Sequence, residues 1–329
     1  MDNKKLARLL LGNQLYDDLR AQKVFNPLTH PFPMQQLSRV RIDWDTYKVQ
    51  PENTYTPFIY IISPTQRSGT NFLSHILNYH PDIQFPEGED LPMEHCLYSS
   101  ADQLADYIEN TLTFWGKWVK SEEAIDGHAK KMMADMGEGL IGHLRSYIAA
   151  SQSLLLKTPD AGGVGHIFHL FPEVRIVFLI RDGRDTLESF GRSWGGKGTF
   201  KKMSERWANR VKQIMSVKQK AEKAGLQDRI LWVRYDELNL NQHEEVRRIL
   251  GFLDKNPDLY PWDKLDEAPV LGSSAFKKDG NVHWEPVKKT KDFKPVDKWR
   301  DWPEARQQMF KKIAGTQLVD LGFENDLNW

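Results

Sequence analysis

Short, continuous apolar runs alternate along this chain with stretches of helical periodicity. Phe58 to Ile62 is an apolar, β-branched run that reads as a buried strand, and after a turn an amphipathic helix follows over about 69–79, stopped by His80-Pro81-Asp82. Residues 153–157, 174–180 and 229–234 read as further buried strands, with helices over about 163–171, 183–193, 202–224 and 242–254. Residues 101–150 read as helical, broken near Ser121 and near Gly137 and Gly139. Strands that alternate with helices predict a three-layer α/β fold, a parallel sheet of about five strands with helices on both faces.

The flanks look different. Residues 1–23 have the pattern of a short amphipathic helix, followed by a loop around Asn26-Pro27, Pro31 and Pro33 and an extended piece at 40–44. This gives an N-terminal arm over 1–54 and a single domain over 55–329, with a helical cap at about 100–150. The stretch at about 255–303 is rich in Pro, Trp and Lys and too long for a structureless connection, so a functional loop is expected there. A closing helix over about 304–321 should pack back on the sheet.

Composition changes this picture only by exclusion. In 329 residues, 45 Lys and Arg balance 45 Asp and Glu, which leaves no net field to attract nucleic acid or an anionic membrane. The single Cys96 cannot form an internal disulfide, and Leu9-Leu10-Leu11 is too short for a signal core or a membrane span. A cytoplasmic protein is expected, with a homo-oligomer left open.

The candidate chemistry sits in two turns. After the first strand comes Ser63-Pro64-Thr65-Gln66-Arg67-Ser68-Gly69-Thr70-Asn71-Phe72, a strand, turn and helix start whose unpaired N–H groups and dipole suit a phosphate or sulfate. It is a cousin of the P-loop, but no Gly-x-x-x-x-Gly-Lys-Ser/Thr can be written across it, so ATP is not the default ligand. After the strand at 174–180 comes Arg181-Asp182-Gly183-Arg184-Asp185, with Ser189 eight residues past Arg181, about two helical turns along. Guanidinium and hydroxyl together can grip a second phosphate. Each turn alone has an ordinary reading: a capped helix beside an exposed Arg, or a salt-bridge cluster of little net energy. Their joint presence favours function, with Arg184 and Asp185 left as structural.

The two turns resemble the 5′-phosphosulfate loop and the 3′-phosphate motif of sulfotransferases that use 3′-phosphoadenosine 5′-phosphosulfate (PAPS). Leu154-Leu155-Leu156-Lys157-Thr158-Pro159, Leu231-Trp232-Val233-Arg234-Tyr235-Asp236-Glu237-Leu238 and Ile249-Leu250-Gly251-Phe252-Leu253 extend the resemblance, in family order, over roughly residues 55–325. Asn71 departs from the family's second Thr, yet its amide can still donate.

The resemblance implies roles. Arg67 stabilises charge on the leaving oxygen; Ser68, Gly69, Thr70, Asn71 and Phe72 hold the 5′-phosphate; Arg181 and Ser189 hold the 3′-phosphate. Gly272 to Gly280 is similar to the family's nucleotide-covering loop and would add Ser273, Ser274, Lys277 and Lys278. The His that serves as general base in cytosolic members is replaced by Pro159, so the base is expected to be Glu87 or Glu89 in Pro86-Glu87-Gly88-Glu89-Asp90, Glu87 preferred. Lys157 is balanced between touching sulfate and being solvated at a strand end. No metal is needed, and His166 and His169, three apart, lack a third ligand.

The implied reaction is in-line sulfuryl transfer to a hydroxyl, in preference to an amine, of a small-molecule or carbohydrate acceptor, releasing adenosine 3′,5′-bisphosphate. Two rivals stay open: a P-loop-type small-molecule kinase, which lacks its Lys and its magnesium-holding acid here, and a non-catalytic nucleotide-binding protein.

Overall fold

Five strands pair in parallel in the computed structural model, in the order β2-β3-β1-β4-β5. It describes residues 39–48, 55–119, 121–194, 199–271, 277–278, 281–282, 286–288 and 296–329. The strands are β1 (Phe58–Ile62), β2 (Ile83–Gln84), β3 (Ser153–Thr158), β4 (Val174–Ile180) and β5 (Ile230–Arg234). β1 lies at the centre, with Ile61 opposite Lys157 of β3 and Ile62 opposite Phe178 of β4. Paired on both edges and covered on both faces, it is apolar at every position and wholly buried, as a central parallel strand must be.

The helices are α1 (Thr70–Leu77), α2 (Ala101–Trp115), α3 (Glu122–Arg145), α4 (Ile167–Leu170), α5 (Gly183–Trp194), α6 (Phe200–Lys223), α7 (Tyr235–Leu240), α8 (Gln242–Phe252), α9 (Trp262–Asp266) and α10 (Glu304–Asp320). One sheet face sets Ile59, Ile61, Leu155, Val177 and Leu179 against Leu73, Ile76 and Leu77 of α1 and Val246, Ile249 and Leu250 of α8. Each such fully buried aliphatic side chain contributes about 1.5–3 kcal/mol relative to exposure. On the opposite face Tyr60 meets Tyr98 and Phe171. Another cluster joins α5, α6 and α10 around Leu187, Trp207 and Phe310.

Three details differ from the sequence reading. β2 is a strand of two residues that no periodicity announces. The helix expected at 163–171 is a 3-10 turn, Val164–His166, followed by the single turn of α4. α3 runs unbroken through Gly137 and Gly139. Gly137 serves close packing: a Cβ there would lie 1.8 Å from the carbonyl oxygen of Leu170.

The chain groups into two compact units, residues 1–42 with 106–129, and residues 43–105 with 130–329, boundaries other than the divide at 54 and 55. In the first, Glu109 of α2 accepts hydrogen bonds from Ile42 N at 3.1 Å and Arg41 Nη1 at 3.3 Å, and Val40 N donates to Thr113 Oγ1 at 3.1 Å. The second contains the sheet and everything described below. Among the described residues no helix is long and apolar enough to cross a membrane.

Candidate active site

Parallel pairing brings the C-terminal ends of β3, β1 and β4 side by side, so Lys157, Arg67 and Arg181 share one edge of the sheet. The turn after β1 is tied to β3 by Ser63 N, which donates to Thr158 O at 3.3 Å. Within it, Ser63 Oγ and Ser68 Oγ both donate to Thr65 O, at 3.0 and 2.8 Å. Arg67 (φ 73°) and Gly69 (φ 93°) are left-handed, which curls the turn tightly into α1. No side chain caps α1, and Leu73 N, bonded to Gly69 O at 3.0 Å, closes its first turn. The N–H groups of Thr70, Asn71 and Phe72 precede that bond and form the anion-binding end of the helix. Phe72 can offer only this backbone group, because its ring packs half-buried against the core.

Gly69 is required for a second reason. A Cβ there would lie 2.3 Å from Cε2 of Tyr235, the first residue of α7. The same ring lies under the Arg181 guanidinium, 4.7 Å from its centre, so Tyr235 braces both turns.

Arg67, Arg181 and Ser189 form one connected set. Arg181 Nη1 donates to Arg67 O at 2.7 Å, and Arg67 Nε donates to Ser189 Oγ at 3.2 Å. Arg181 and Ser189 are buried, with 6% and 3% of their surface exposed, so the two turns are welded together beneath the surface. Burial, and after it the charge of Arg181, pushes the pKa of Arg67 down to about 10.

Two residues that carried no sequence signal join this edge. Lys298, in the 3-10 turn Lys298–Asp301 before α10, has its pKa pushed down to about 8, by burial first and then by Arg181 and Arg192. Asp185 accepts hydrogen bonds from Asp297 N at 2.8 Å and Lys298 N at 2.7 Å. Burial raises its pKa while Arg181 opposes that rise. Its structural reading holds, although its partner is this distant turn and not its own helix. Arg184 pairs locally with Asp182 at 2.6 Å, and its guanidinium stacks 3.7 Å from the Trp299 ring centre.

At the β3 end, Lys157 is buried and its Nζ donates to Asn71 Oδ1 at 2.6 Å. Asn71 thus uses its carbonyl on Lys157 and keeps its amide N–H groups as donors, which a Thr could not do in the same way. Burial lowers the pKa of Lys157. His95 also reached this place without a sequence signal: its N donates to Lys157 O at 3.3 Å and its ring lies 5.2 Å from that of Phe85. Burial, then Lys157, pushes its pKa to about 4, which leaves it neutral.

A cavity of about 460 Å³ opens beside Gln66 and Pro159, walled also by Glu94, Cys96, Asp102 and Asp160. Glu87 and Glu89 lie exposed in the turn after β2, and no printed bond draws them to Arg67 or Lys157 among the described residues. Ser273 and Ser274 fall outside the described residues. Lys277–Lys278 pair antiparallel with Asn281–Val282, but their side chains fall outside them too. His166 bonds Asp102 at 3.1 Å and His169 bonds Thr46 O at 3.1 Å. Among the described residues no group of three His, Cys, Asp or Glu could hold a metal ion.

The donor set at this edge fits a multiply charged anion. Arg67, Arg181 and Lys298 stand in one another's field, partly out of water, and each suppresses the others' protonation. Phosphate or sulfate oxygens would relieve that repulsion and meet the N–H groups of α1.

A family model described as the sulfotransferase family matches residues 57–257. The protein-tyrosine sulfotransferase of Drosophila melanogaster is 25% identical over 291 residues, 84% of this chain and 52% of that protein. Protein-tyrosine sulfotransferase A of Caenorhabditis elegans is 28% identical over 245 residues, 70% of this chain and 56% of that protein. The chain therefore spans little more than half the length of these relatives. Among solved structures, the sulfotransferase domain from the curacin biosynthetic pathway aligns with a TM-score of 0.46 at 16% identity, over 82% of this chain and 99% of that one.

Proposed function

The chain belongs to the sulfotransferase family, and from that premise we propose that it moves the sulfuryl group of PAPS to the phenolic hydroxyl of a tyrosine in a protein or peptide. The observation that carries this reading is the welded pair of turns, in which Arg181 holds the Arg67 carbonyl and Arg67 holds Ser189. Two anion grips at a fixed spacing suit a nucleotide with phosphates at both ends of its ribose.

When bound, PAPS supplies a sulfuryl group attached to an anionic leaving oxygen. The N–H groups of Thr70, Asn71 and Phe72 would hold its 5′-phosphate, with Arg67 balancing the charge that grows on the leaving oxygen. Arg181 and Ser189 would hold its 3′-phosphate. Lys157, kept in place by Asn71, provides a positive charge at the end of the strand next to Arg67. Buried guanidinium and amide donors that need no reorganisation are the main contribution a protein makes to such a displacement.

A tyrosine phenol, with a pKa of about 10, must lose its proton as the new bond forms. Glu87, with Glu89 two residues on, is our choice of base, exposed where a large acceptor can reach it. Tyrosine replaces the small-molecule or carbohydrate acceptor expected from the sequence on two grounds. Two relatives carry that activity in their names. The cavity beside Gln66 is walled by polar side chains, and lacks the aromatic and aliphatic lining that a lipophilic small molecule needs.

The test is transfer of label from ³⁵S-PAPS to a panel of tyrosine peptides, sugars and simple alcohols, alongside titration with adenosine 3′,5′-bisphosphate. Label on tyrosine, lost with Arg67→Ala, is the expected result. Label on sugars or alcohols alone would overturn the acceptor, and absence of bisphosphate binding would overturn the function.

A further inference from the structure

The segment that leads into α10 is fastened to α5 at three places. Asp185 accepts the N–H groups of Asp297 and Lys298 at 2.8 and 2.7 Å, Arg184 lies against the Trp299 ring at 3.7 Å, and Glu188 accepts from Trp302 Nε1 at 2.7 Å. Residues 184, 185 and 188 follow Arg181 directly and precede Ser189, so the fastening sets Lys298 against the same grip. The neighbouring Asp297 carboxylate is engaged by Arg300 at 3.0 Å. A half-buried lysine placed among like charges costs stability, and a fold that clamps it there from three side chains has a use for it.

We propose that Lys298 is a third cationic contact for the phosphates of the bound nucleotide, positioned by Asp185. This rests on the nucleotide reading above. Groups facing the Lys298 ammonium are Arg181 from the end of β4, Arg192 and Asp185 from α5, and Arg67 from the turn after β1. Three of these four are cations, and they hold the lysine near half-protonation at pH 8. An arriving phosphate reverses the sign of the local field, so the ammonium form is favoured and binding takes up about half a proton at pH 8. The ligand itself adds little, because a phosphate monoester with its second pKa near 6 is already a dianion there. Arg67, with a pKa of about 10, is already charged.

Titration calorimetry of the whole chain with adenosine 3′,5′-bisphosphate at pH 8, in two buffers of different ionisation enthalpy, reads the proton directly. The expected results are uptake of about half a proton by the wild type, and none by Lys298→Met with affinity lowered about tenfold or more. Lys298→Arg, charged at all pH values, should bind near wild-type strength without uptake, which separates the titration from a folding defect. Affinity of the wild type should fall as pH rises above 8, while that of Lys298→Arg stays level. Unchanged uptake in Lys298→Met, or binding without uptake in the wild type, would overturn the proposal while leaving the nucleotide reading intact. Failure of the wild type to bind the bisphosphate would sink both.

Discussion

Replacing Gly69 by Ala tests whether the two anion turns are held against Tyr235 as closely as described. The added methyl meets two separate costs. At φ 93° and ψ 15° an L-residue sits in left-handed space, which costs about 1–2 kcal/mol. Its Cβ would also lie 2.3 and 2.5 Å from Cε2 and Cδ2 of Tyr235, contacts real Cβ atoms do not make. The ring cannot swing away freely, since its other side carries the Arg181 guanidinium at 4.7 Å. Overpacking of this kind costs about 1–3 kcal/mol, so the sum is about 2–5 kcal/mol. At about 2 °C per kcal/mol for a chain of this size, the melting temperature should fall by about 4 °C or more. Bisphosphate affinity should fall with it, because the displaced ring carries Arg181. The discriminating assay is a double-mutant cycle with Tyr235→Ala, read by thermal or urea melts. Removing the ring relieves the clash but not the backbone strain, so the coupling should equal the steric part, about 1–3 kcal/mol. Additive effects in that cycle, or a Gly69→Ala protein that melts and binds like the wild type, would refute the close approach.

Three further outcomes are expected. Glu87→Gln should leave bisphosphate affinity nearly unchanged and cut transfer to tyrosine about a hundredfold, checked by steady-state assay; full turnover would move the base to Glu89 or elsewhere. Asp185→Ala leaves two N–H groups of the 297–298 turn without their acceptor, at about 1–3 kcal/mol, and should raise KM for PAPS much more than it lowers kcat. Asp185→Asn, which keeps one acceptor oxygen, should fall between, and a pure kcat effect would contradict a positioning role. His95 and His169 both have pKa values pushed to about 4, against 6.5 when unfolded. The unfolded chain therefore binds more protons between those limits, so stability is lost as pH falls from about 6.5 to about 4. Urea midpoints measured across that window should show a shallower slope for His95→Leu, and an identical slope would show that His95 is not kept neutral.

What was legible in the sequence is what local physics dictates. A central parallel strand is apolar throughout, so Phe58 to Ile62 and Val174 to Ile180 stand out, and the residues that end them mark the ligand edge of the sheet. β2 was not legible, because two residues have no periodicity. Gly137 and Gly139 read as helix breakers, since close approach by the Leu170 carbonyl leaves no trace in the helix's own sequence. Tyr235, His95 and Lys298 were missed for one shared reason. Each lies far along the chain from the turn it touches and has a residue type with many ordinary uses, so only the order β2-β3-β1-β4-β5 and the clamp on α5 bring them in.

The same geometry changes how the two turns must be understood together. Read from the sequence, Arg181 grips only the far phosphate, and the 5′ and 3′ ends of the nucleotide are handled by separate parts. Its Nη1 bond to the Arg67 carbonyl shows otherwise, because that bond fixes the left-handed residue from which α1 and its N–H groups start. Arg67 in turn rests on Ser189, two helical turns beyond Arg181. Charge added at either end is therefore felt at both, through one guanidinium that is simultaneously a ligand for phosphate and a strut of the opposite loop. A site built in this way is set to a single spacing before any ligand arrives, which is the preorganisation that displacement between two oxyanions demands.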